Sequence, residues 1–143
     1  MYVKKWITAR TCVYNTGYHF VWSTKYRRAV LINGIENTLK QILVNIAQEN
    51  GFAIENIEVM LDHCHVFVVA HPKYSPSIIV KILKGASARI LFQRHGELKK
   101  YLWKGHLWNP SYYVGTAGSV SKEVIKRYIN EQKAHDINSK STY

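Results

Sequence analysis

The stretch "LDHCHVFVVA", Leu61–Ala70, places two histidines at the start of an otherwise apolar run. Its β-branched and aromatic residues predict a strand. On a strand, the side chains of residues i and i+2 leave the same face, and that of residue i+1 leaves the opposite face. His63 and His65 are therefore predicted to share a face, with Cβ atoms roughly 6–7 Å apart. Cys64 is predicted to point the other way, into the core.

The segments around this strand alternate between strand and helix patterns. Strands are predicted within "CVYNTGYHFVWST" and in "FAIENIEVM" and "SYYV", and helices in "NGIENTLKQILVNIAQENG" and "SPSIIVKILKGASARILFQRH". A last helix is predicted in "SVSKEVIKRYINEQKAH", residues 119–135. The order strand, helix, two strands, helix, strand predicts an α+β fold. The predicted fold is a ferredoxin-like split βαβ sandwich, with an antiparallel sheet, helices on one face and an extra C-terminal helix.

Helix ends and faces can also be predicted. Asn33 and Glu36 have the spacing of a capping box, and Gly51 is placed to end the first helix. Ser75 is the expected N-cap of the second helix, with Pro76 in its first turn. In that helix, one face is expected to lie on the sheet and another nearer solvent; the first holds Ile78, Ile82, Ala86 and Ile90, and the second Lys81, Lys84 and Arg89.

Length and composition indicate a single domain over residues 1–135, followed by a polar tail, residues 136–143. Two cysteines are too few for a disulfide framework, so a cytoplasmic location is expected. The N-terminus lacks the apolar core of a signal peptide, and no 18-residue apolar run occurs, so no membrane association is expected.

The charge favours a nucleic-acid partner. Twenty Lys and Arg against nine Asp and Glu give a net charge of +11, and aromatic residues are mixed among the cations, as in "LKKYLWKGHLW". Cations can bind phosphates while aromatic rings stack on exposed bases. The alternative is a basic protein whose charges are merely solvated. Candidate phosphate contacts are Arg27, Arg28, Lys81 and Lys84.

Two histidines alone do not make a metal site, and hydrogen-bonded histidines are an equally good interpretation of the pair. Candidates for a third ligand are a residue of the last helix or one of His19, His71, His106, His135 and Asp62. On the last helix, Tyr128 and Gln132 are four residues apart, so both side chains leave one helical face. A helix beside the histidine strand could present both to one metal ion. The remaining histidines are interpreted as structural or surface residues.

Five segments together resemble the single-tyrosine HUH transposases of the insertion-sequence 200/605 type, in which two histidines flank a hydrophobic residue. They are, in chain order, "YHFVWSTKYRRAVL", "VMLDHCHVFV", "KILKGASARIL", "LWNPSYYVGTAG" and "VIKRYINEQ". Leu61 stands where a proline is common, and Cys64 is an unusual middle residue, but neither is a proposed ligand.

The resemblance implies that Tyr128 is the catalytic nucleophile and that His63, His65 and Gln132 bind Mg²⁺ or Mn²⁺. It implies a homodimer that binds hairpins in single-stranded DNA and cuts and rejoins strands through a 5′-phosphotyrosine, each catalytic helix often completing the partner's site. Two alternatives remain open on the same fold. One is a non-catalytic nucleic-acid-binding module, and the other is a metal-dependent single-strand nuclease in which Tyr128 is incidental.

Overall fold

The protein is described by a computed structural model that covers residues 7–14, 16–102, 105–116 and 126–131. Strands β1 to β6 are Ile7–Thr8, Val13–Tyr14, Gly17–Ser23, Ala53–Val59, His63–Val69 and Tyr113–Thr116. Helices α1 and α2 are Ile35–Glu49 and Pro76–Arg94, and 3₁₀ turns occur at Lys25–Arg27 and Gly96–Tyr101. Residues 126–131 are helical and are called the C-terminal helical segment below. The rest of the predicted last helix and the predicted tail lie outside the described residues.

The main sheet has the strand order β4-β5-β3-β6, and every neighbouring pair is antiparallel. Strands β3 and β4 flank β5 and are joined through α1, which is the split βαβ arrangement. The predicted ferredoxin-like fold is therefore confirmed. A separate two-stranded hairpin, β1 with β2, precedes the main sheet and was not predicted.

The core lies between one face of this sheet and the two helices. Alternation along β3 and β5 sends one set of side chains toward the helices, and the members of that set are Phe20, Trp22, Cys64, Val66 and Val68, all fully buried. The indole of Trp108 meets that of Trp22 edge-on, at a centroid distance of 5.9 Å. The opposite face of the sheet, called the open face below, carries the histidines.

The predicted packing face of α2 is offset from the true one. The buried residues of α2 are Ile79, Val80, Leu83, Ser87 and Leu91. Ile82, Ala86 and Ile90 are half-buried and pack against the core as predicted, whereas Ile78 is 47% exposed. The polar Ser87 interrupts the apolar pattern of the true face, yet it is fully buried. Its hydroxyl accepts a hydrogen bond from Trp108 Nε1 at 3.0 Å and donates to Lys84 O, which removes the cost of burying it.

The two helix starts differ in their agreement with prediction. Ser75 Oγ accepts from Ile78 N at 3.3 Å with Pro76 in the first turn, so that N-cap is confirmed. The Asn33–Glu36 capping box is wrong, because α1 begins one residue later with Gly34 as N-cap. Asn33 and Gly34 both have positive φ, and Glu36 accepts from the main-chain nitrogen of Gly34. Gly51, at φ 74°, follows the end of α1 as predicted.

Candidate active site on the open face of the sheet

His63 and His65 share the open face, as strand alternation predicts. In the antiparallel register of β3 and β5, Ser23 pairs with His63 and Val21 with His65. Both histidines are half-buried, while Cys64 points to the core and is 0% exposed. The two imidazoles therefore border a surface that solvent reaches, and the thiol does not.

The orientation of His63 is fixed by Asp62. His63 Nδ1 donates to Asp62 Oδ1 at 2.8 Å, which leaves the lone pair of Nε2 for another partner. Burial raises the pKa of the Asp62 carboxyl, but hydrogen bonds from His63 and then Arg27 outweigh it, so that pKa lies below its usual value. The carboxylate is thus charged at neutral pH and is a strong acceptor.

His65 has a different partner, His19 on β3. His65 Nε2 and His19 Nδ1 are 2.9 Å apart, so one of these nitrogens carries a proton and donates a hydrogen bond to the other. The His19 ring also packs on Phe67, with centroids 4.4 Å apart. Burial lowers the pKa of His65, and His63 adds to this effect while the Glu58 carboxylate opposes it. Burial and the neighbouring His65 lower the pKa of His19. Both imidazoles are therefore neutral at pH 7, the form that binds metal ions.

Arg27 connects the histidine strand to the C-terminal helical segment. Its Nη2 lies 3.0 Å from each carboxylate oxygen of Asp62, and its Nη1 donates to Ile129 O at 2.7 Å. The turn that carries it is tied to the strand, because Thr24 N donates to Asp62 O at 2.9 Å. Tyr26 and Arg27 both have left-handed φ, 56° and 54°. Such conformations cost roughly 1–3 kcal/mol each in residues with bulky side chains, and they concentrate at functional sites.

Tyr128 lies over the other edge of the open face. Its ring is 5.9 Å from that of Tyr113, and its Oη donates to Ser111 Oγ at 3.3 Å. Tyr113 pairs with Val21, which pairs in turn with His65. Strand β6, which carries Tyr113, is therefore two strand spacings from the histidine strand β5, about 10 Å.

Comparison with known proteins identifies the family. The model of the family "Transposase IS200 like" matches residues 12–132. The chain belongs to the IS200-like transposase family. It is 43% identical to the ISDra2 transposase TnpA of Deinococcus radiodurans over 127 residues, 89% of each chain. It is 31% identical over 123 residues to the transposase for insertion sequence element IS200 of Salmonella typhimurium, 86% of this chain and 80% of that one.

Solved structures agree with this assignment. A crystal structure described as a transposase from Deinococcus radiodurans R1 superposes with a TM-score of 0.83 at 42% identity, covering 88% of this chain and 97% of that one. A REP-associated tyrosine transposase bound to a REP hairpin superposes with a TM-score of 0.54. It is 16% identical, and the match covers 94% of this chain and 73% of that one, so it supports the fold alone.

No helix in the described ranges has the length and apolarity needed to cross a membrane.

The residues of the transposase that lie within the described ranges fit part of a metal site. The Nε2 lone pair of His63 is available. The neutral imidazole of His65 could bind a metal ion through Nδ1, or through Nε2 if that nitrogen exchanged its contact with His19. No group of three His, Cys, Asp or Glu side chains among the described residues has the arrangement of a metal site. A complete site therefore requires a further ligand such as Gln132, which lies outside the described residues.

The four predicted phosphate contacts fall into two groups. Arg28 and Lys81 are exposed, whereas Lys84 and Arg27 are partly buried. Lys84 Nζ donates to Asn109 O at 2.6 Å and to Ser111 O at 3.1 Å, and burial lowers its pKa to about 8. Contact of any of the four with DNA stays a prediction. In the transposase as described, Lys84 and Arg27 hold main-chain carbonyls near Tyr128.

For three residues of this site, the sequence did not predict the contacts that they make. His19 was one of the candidate third ligands and was otherwise interpreted as structural, although strand alternation already placed it opposite to Phe20 and Trp22. What the sequence did not give was the register that brings it to His65. Ser111 was predicted only as part of a strand. Asp62 was one of several candidate ligands, and its contacts with Arg27 and His63 depend on a turn whose conformation no glycine or proline reveals.

Proposed function

We propose that this transposase binds hairpins at the ends of its element in single-stranded DNA, then cleaves and rejoins strands through a 5′-phosphotyrosine at Tyr128. The observation that carries the proposal is that Tyr128 packs on the same sheet face that presents His63 and His65. The net charge of +11 supports binding to DNA. Excision and insertion of an insertion sequence would follow from paired cleavage and rejoining events.

In the proposed reaction, the Tyr128 oxygen attacks the phosphorus, and the bond from phosphorus to the 3′ oxygen breaks. The 3′ oxygen leaves and takes up a proton, while the 5′ phosphate stays on the tyrosine. Rejoining is the reverse attack by a 3′ hydroxyl, so the phosphodiester energy is conserved and no ATP is needed. Because a free phenol has a pKa near 10, the hydroxyl must lose its proton to a neighbouring group or to water.

His63, His65 and Gln132 are the proposed ligands of Mg²⁺ or Mn²⁺. When bound, such an ion would polarise the phosphate and orient the 3′ oxygen. All three ligands are neutral, so the charge of the ion would remain available to the DNA. Support comes from the contact that leaves the Nε2 lone pair of His63 available, and from the burial that keeps His65 neutral.

The deciding experiment incubates the protein with labelled single-stranded element ends carrying a hairpin, in the presence of Mg²⁺ or Mn²⁺. A transposase of this kind leaves a covalent protein–DNA adduct on a denaturing gel. A hydrolytic nuclease would give free ends, and a binding module would leave the DNA intact. Mass spectrometry of the adduct should locate the phosphate on Tyr128, and a phosphate on Tyr112 or Tyr113 would refute the assignment.

Three substitutions separate the roles. Tyr128→Phe keeps the ring that packs on Tyr113, so this variant should fold and bind hairpin DNA but form no adduct. His63→Ala should abolish cleavage while hairpin binding remains. Gln132→Ala should slow cleavage less completely, because water can replace a neutral oxygen ligand.

A homodimer is part of the proposal, and the origin of the helix in each active site can be tested by mixing Tyr128→Phe with His63→Ala protein. If helices are exchanged between subunits, a mixed dimer regains one intact site. If each helix serves its own subunit, both sites of a mixed dimer stay incomplete and no activity is recovered.

A further inference from the structure

We infer that Arg27 is a positioning residue that holds the C-terminal helical segment against the histidine strand and, through Asp62, orients His63. The inference rests on the proposed roles of Tyr128 and His63. Arg27 lies in the turn after β3, and its proposed task is to couple the helical segment that carries Tyr128 to the strand that carries His63. The nucleophile and the histidine would then be brought into position by a single side chain.

The contacts form a continuous chain from one half of the site to the other. Arg27 Nη1 donates to Ile129 O at 2.7 Å, and Ile129 is the residue next to Tyr128. Arg27 Nη2 lies 3.0 Å from the Asp62 carboxylate, whose Oδ1 accepts from His63 Nδ1 at 2.8 Å. Because the contact on the helix is to a main-chain carbonyl, it fixes the backbone beside Tyr128 whatever side chain Ile129 carries.

The chemistry of arginine suits this task. The planar guanidinium presents several donors in a fixed fork, so one side chain can bind a carboxylate on one edge and a carbonyl on another. The Arg27 side chain is only 9% exposed, which limits its access to a phosphate in this arrangement. A lysine has a single ammonium at the end of a flexible chain and could not hold both partners in the same geometry.

Two features at Arg27 oppose the stability of the fold. Its Nε is buried and has no hydrogen-bond partner among the residues that the structure describes. An unpaired buried donor is unfavourable, and so are the left-handed backbone conformations of Tyr26 and Arg27. Features that oppose stability are expected where a side chain must be aimed at a functional target.

The first measurement needs neither metal nor DNA. Hydrogen–deuterium exchange of the peptide that contains residues 126–131 reports how firmly the helical segment is held. Arg27→Gln removes the charged donor, so we expect exchange in this peptide to rise by about tenfold. Arg28→Gln removes the same charge from the neighbouring exposed residue and should leave exchange of this peptide unchanged. Arg27→Lys should give an intermediate value, and it replaces Arg27→Gln if that variant does not fold.

The second measurement separates positioning from binding of the DNA backbone. At saturating hairpin DNA, Arg27→Gln should slow adduct formation by about 10- to 100-fold, the usual effect of losing a residue that orients a ligand. Its affinity for the hairpin should stay within twofold of the wild-type value. Asp62→Asn should also slow adduct formation at saturating DNA, because Asp62 links Arg27 to His63.

Unchanged exchange in Arg27→Gln would overturn the inference, and so would loss of hairpin affinity with a normal rate at saturation, which would mark Arg27 as a phosphate contact. If wild-type protein formed no adduct on Tyr128, the proposed function would fail. The exchange result would still decide whether Arg27 holds the helical segment.

Discussion

Replacement of Lys84 by methionine tests whether a partly buried cation holds the segment that leads into β6. Lys84 Nζ donates to the carbonyl oxygens of Asn109 and Ser111, at 2.6 and 3.1 Å. Ser111 in turn accepts a hydrogen bond from Tyr128 through its Oγ. Methionine has a similar length and keeps the packing of the aliphatic chain, but it has no donor for either carbonyl.

The expected loss can be estimated from these contacts. Hydrogen bonds from a charged donor contribute about 1.5–3 kcal/mol each. Methionine also removes the cost of burying the ammonium, so the net decrease in the free energy of unfolding at pH 7 should be about 2 kcal/mol. For a chain of this size, that corresponds to a fall in Tm of about 5–8 °C.

The dependence on pH provides a second test with a defined sign. Burial lowers the pKa of Lys84 from 10.5 to about 8 in the folded protein. Between these two values the unfolded chain binds a proton that the folded chain has lost, so the stability contributed by Lys84 rises with pH. Because the side chain is only partly buried, the gain between pH 8 and 10.5 should be about 1–2 kcal/mol. Lys84→Met should lack this gain.

Urea denaturation at pH 7 and pH 10 measures both effects. Lys81→Met is the matched control, because Lys81 lies on the same helix and is exposed. It should change stability by no more than about 0.5 kcal/mol at either pH. A Lys84→Met protein as stable as the wild type at pH 7, or a stability gap that narrows as the pH rises, would refute the reasoning.

Four further outcomes follow from packing, hydrogen bonding and charge. A Cβ on Gly17 would lie 2.5 Å from Phe67 Cζ, so Gly17→Ala should lower stability by about 1–3 kcal/mol in thermal melts. Gly85→Ala, which meets nothing within 4 Å on a helix, should raise it by about 0.5–1 kcal/mol. Ser87→Ala should cost about 1–3 kcal/mol by urea denaturation, since it leaves Trp108 Nε1 buried without its acceptor. Hairpin binding should weaken with salt, log K falling against log salt with a slope of about −3.5 to −4.5 for five phosphate contacts; a flat dependence would contradict a charge-driven interface.

The fold could be predicted because each strand and helix is specified by local patterns that agree with one another. Alternation in β5 gave the shared face of His63 and His65, and the order of elements gave the sheet topology. Prediction failed where a polar residue belongs to the core. Ser87 was not among the residues predicted for the buried face of α2, because its partner, Trp108, lies 21 residues away and cannot be inferred from local spacing.

The candidate site was predicted less completely, for a physical reason. Spacing along one element gives residues that share a face, and this is how His63, His65 and Tyr128 were selected. The contacts that orient them come from other elements: His19 from β3, Asp62 from the turn before β5, and Arg27 from a strained turn. Such contacts depend on strand register and backbone conformation, which the sequence pattern alone does not fix.

The basic side chains that suggested DNA binding therefore have different tasks. Arg27 and Lys84 each donate to main-chain carbonyls near Tyr128, whereas Arg28 and Lys81 are exposed. Loss of activity on substitution would not distinguish these tasks, because both a missing phosphate contact and a misplaced nucleophile reduce cleavage. The salt dependence does distinguish them, since each lost phosphate contact lowers the magnitude of the slope by about 1. A cation that only positions Tyr128 leaves the slope unchanged while the rate at saturating DNA falls.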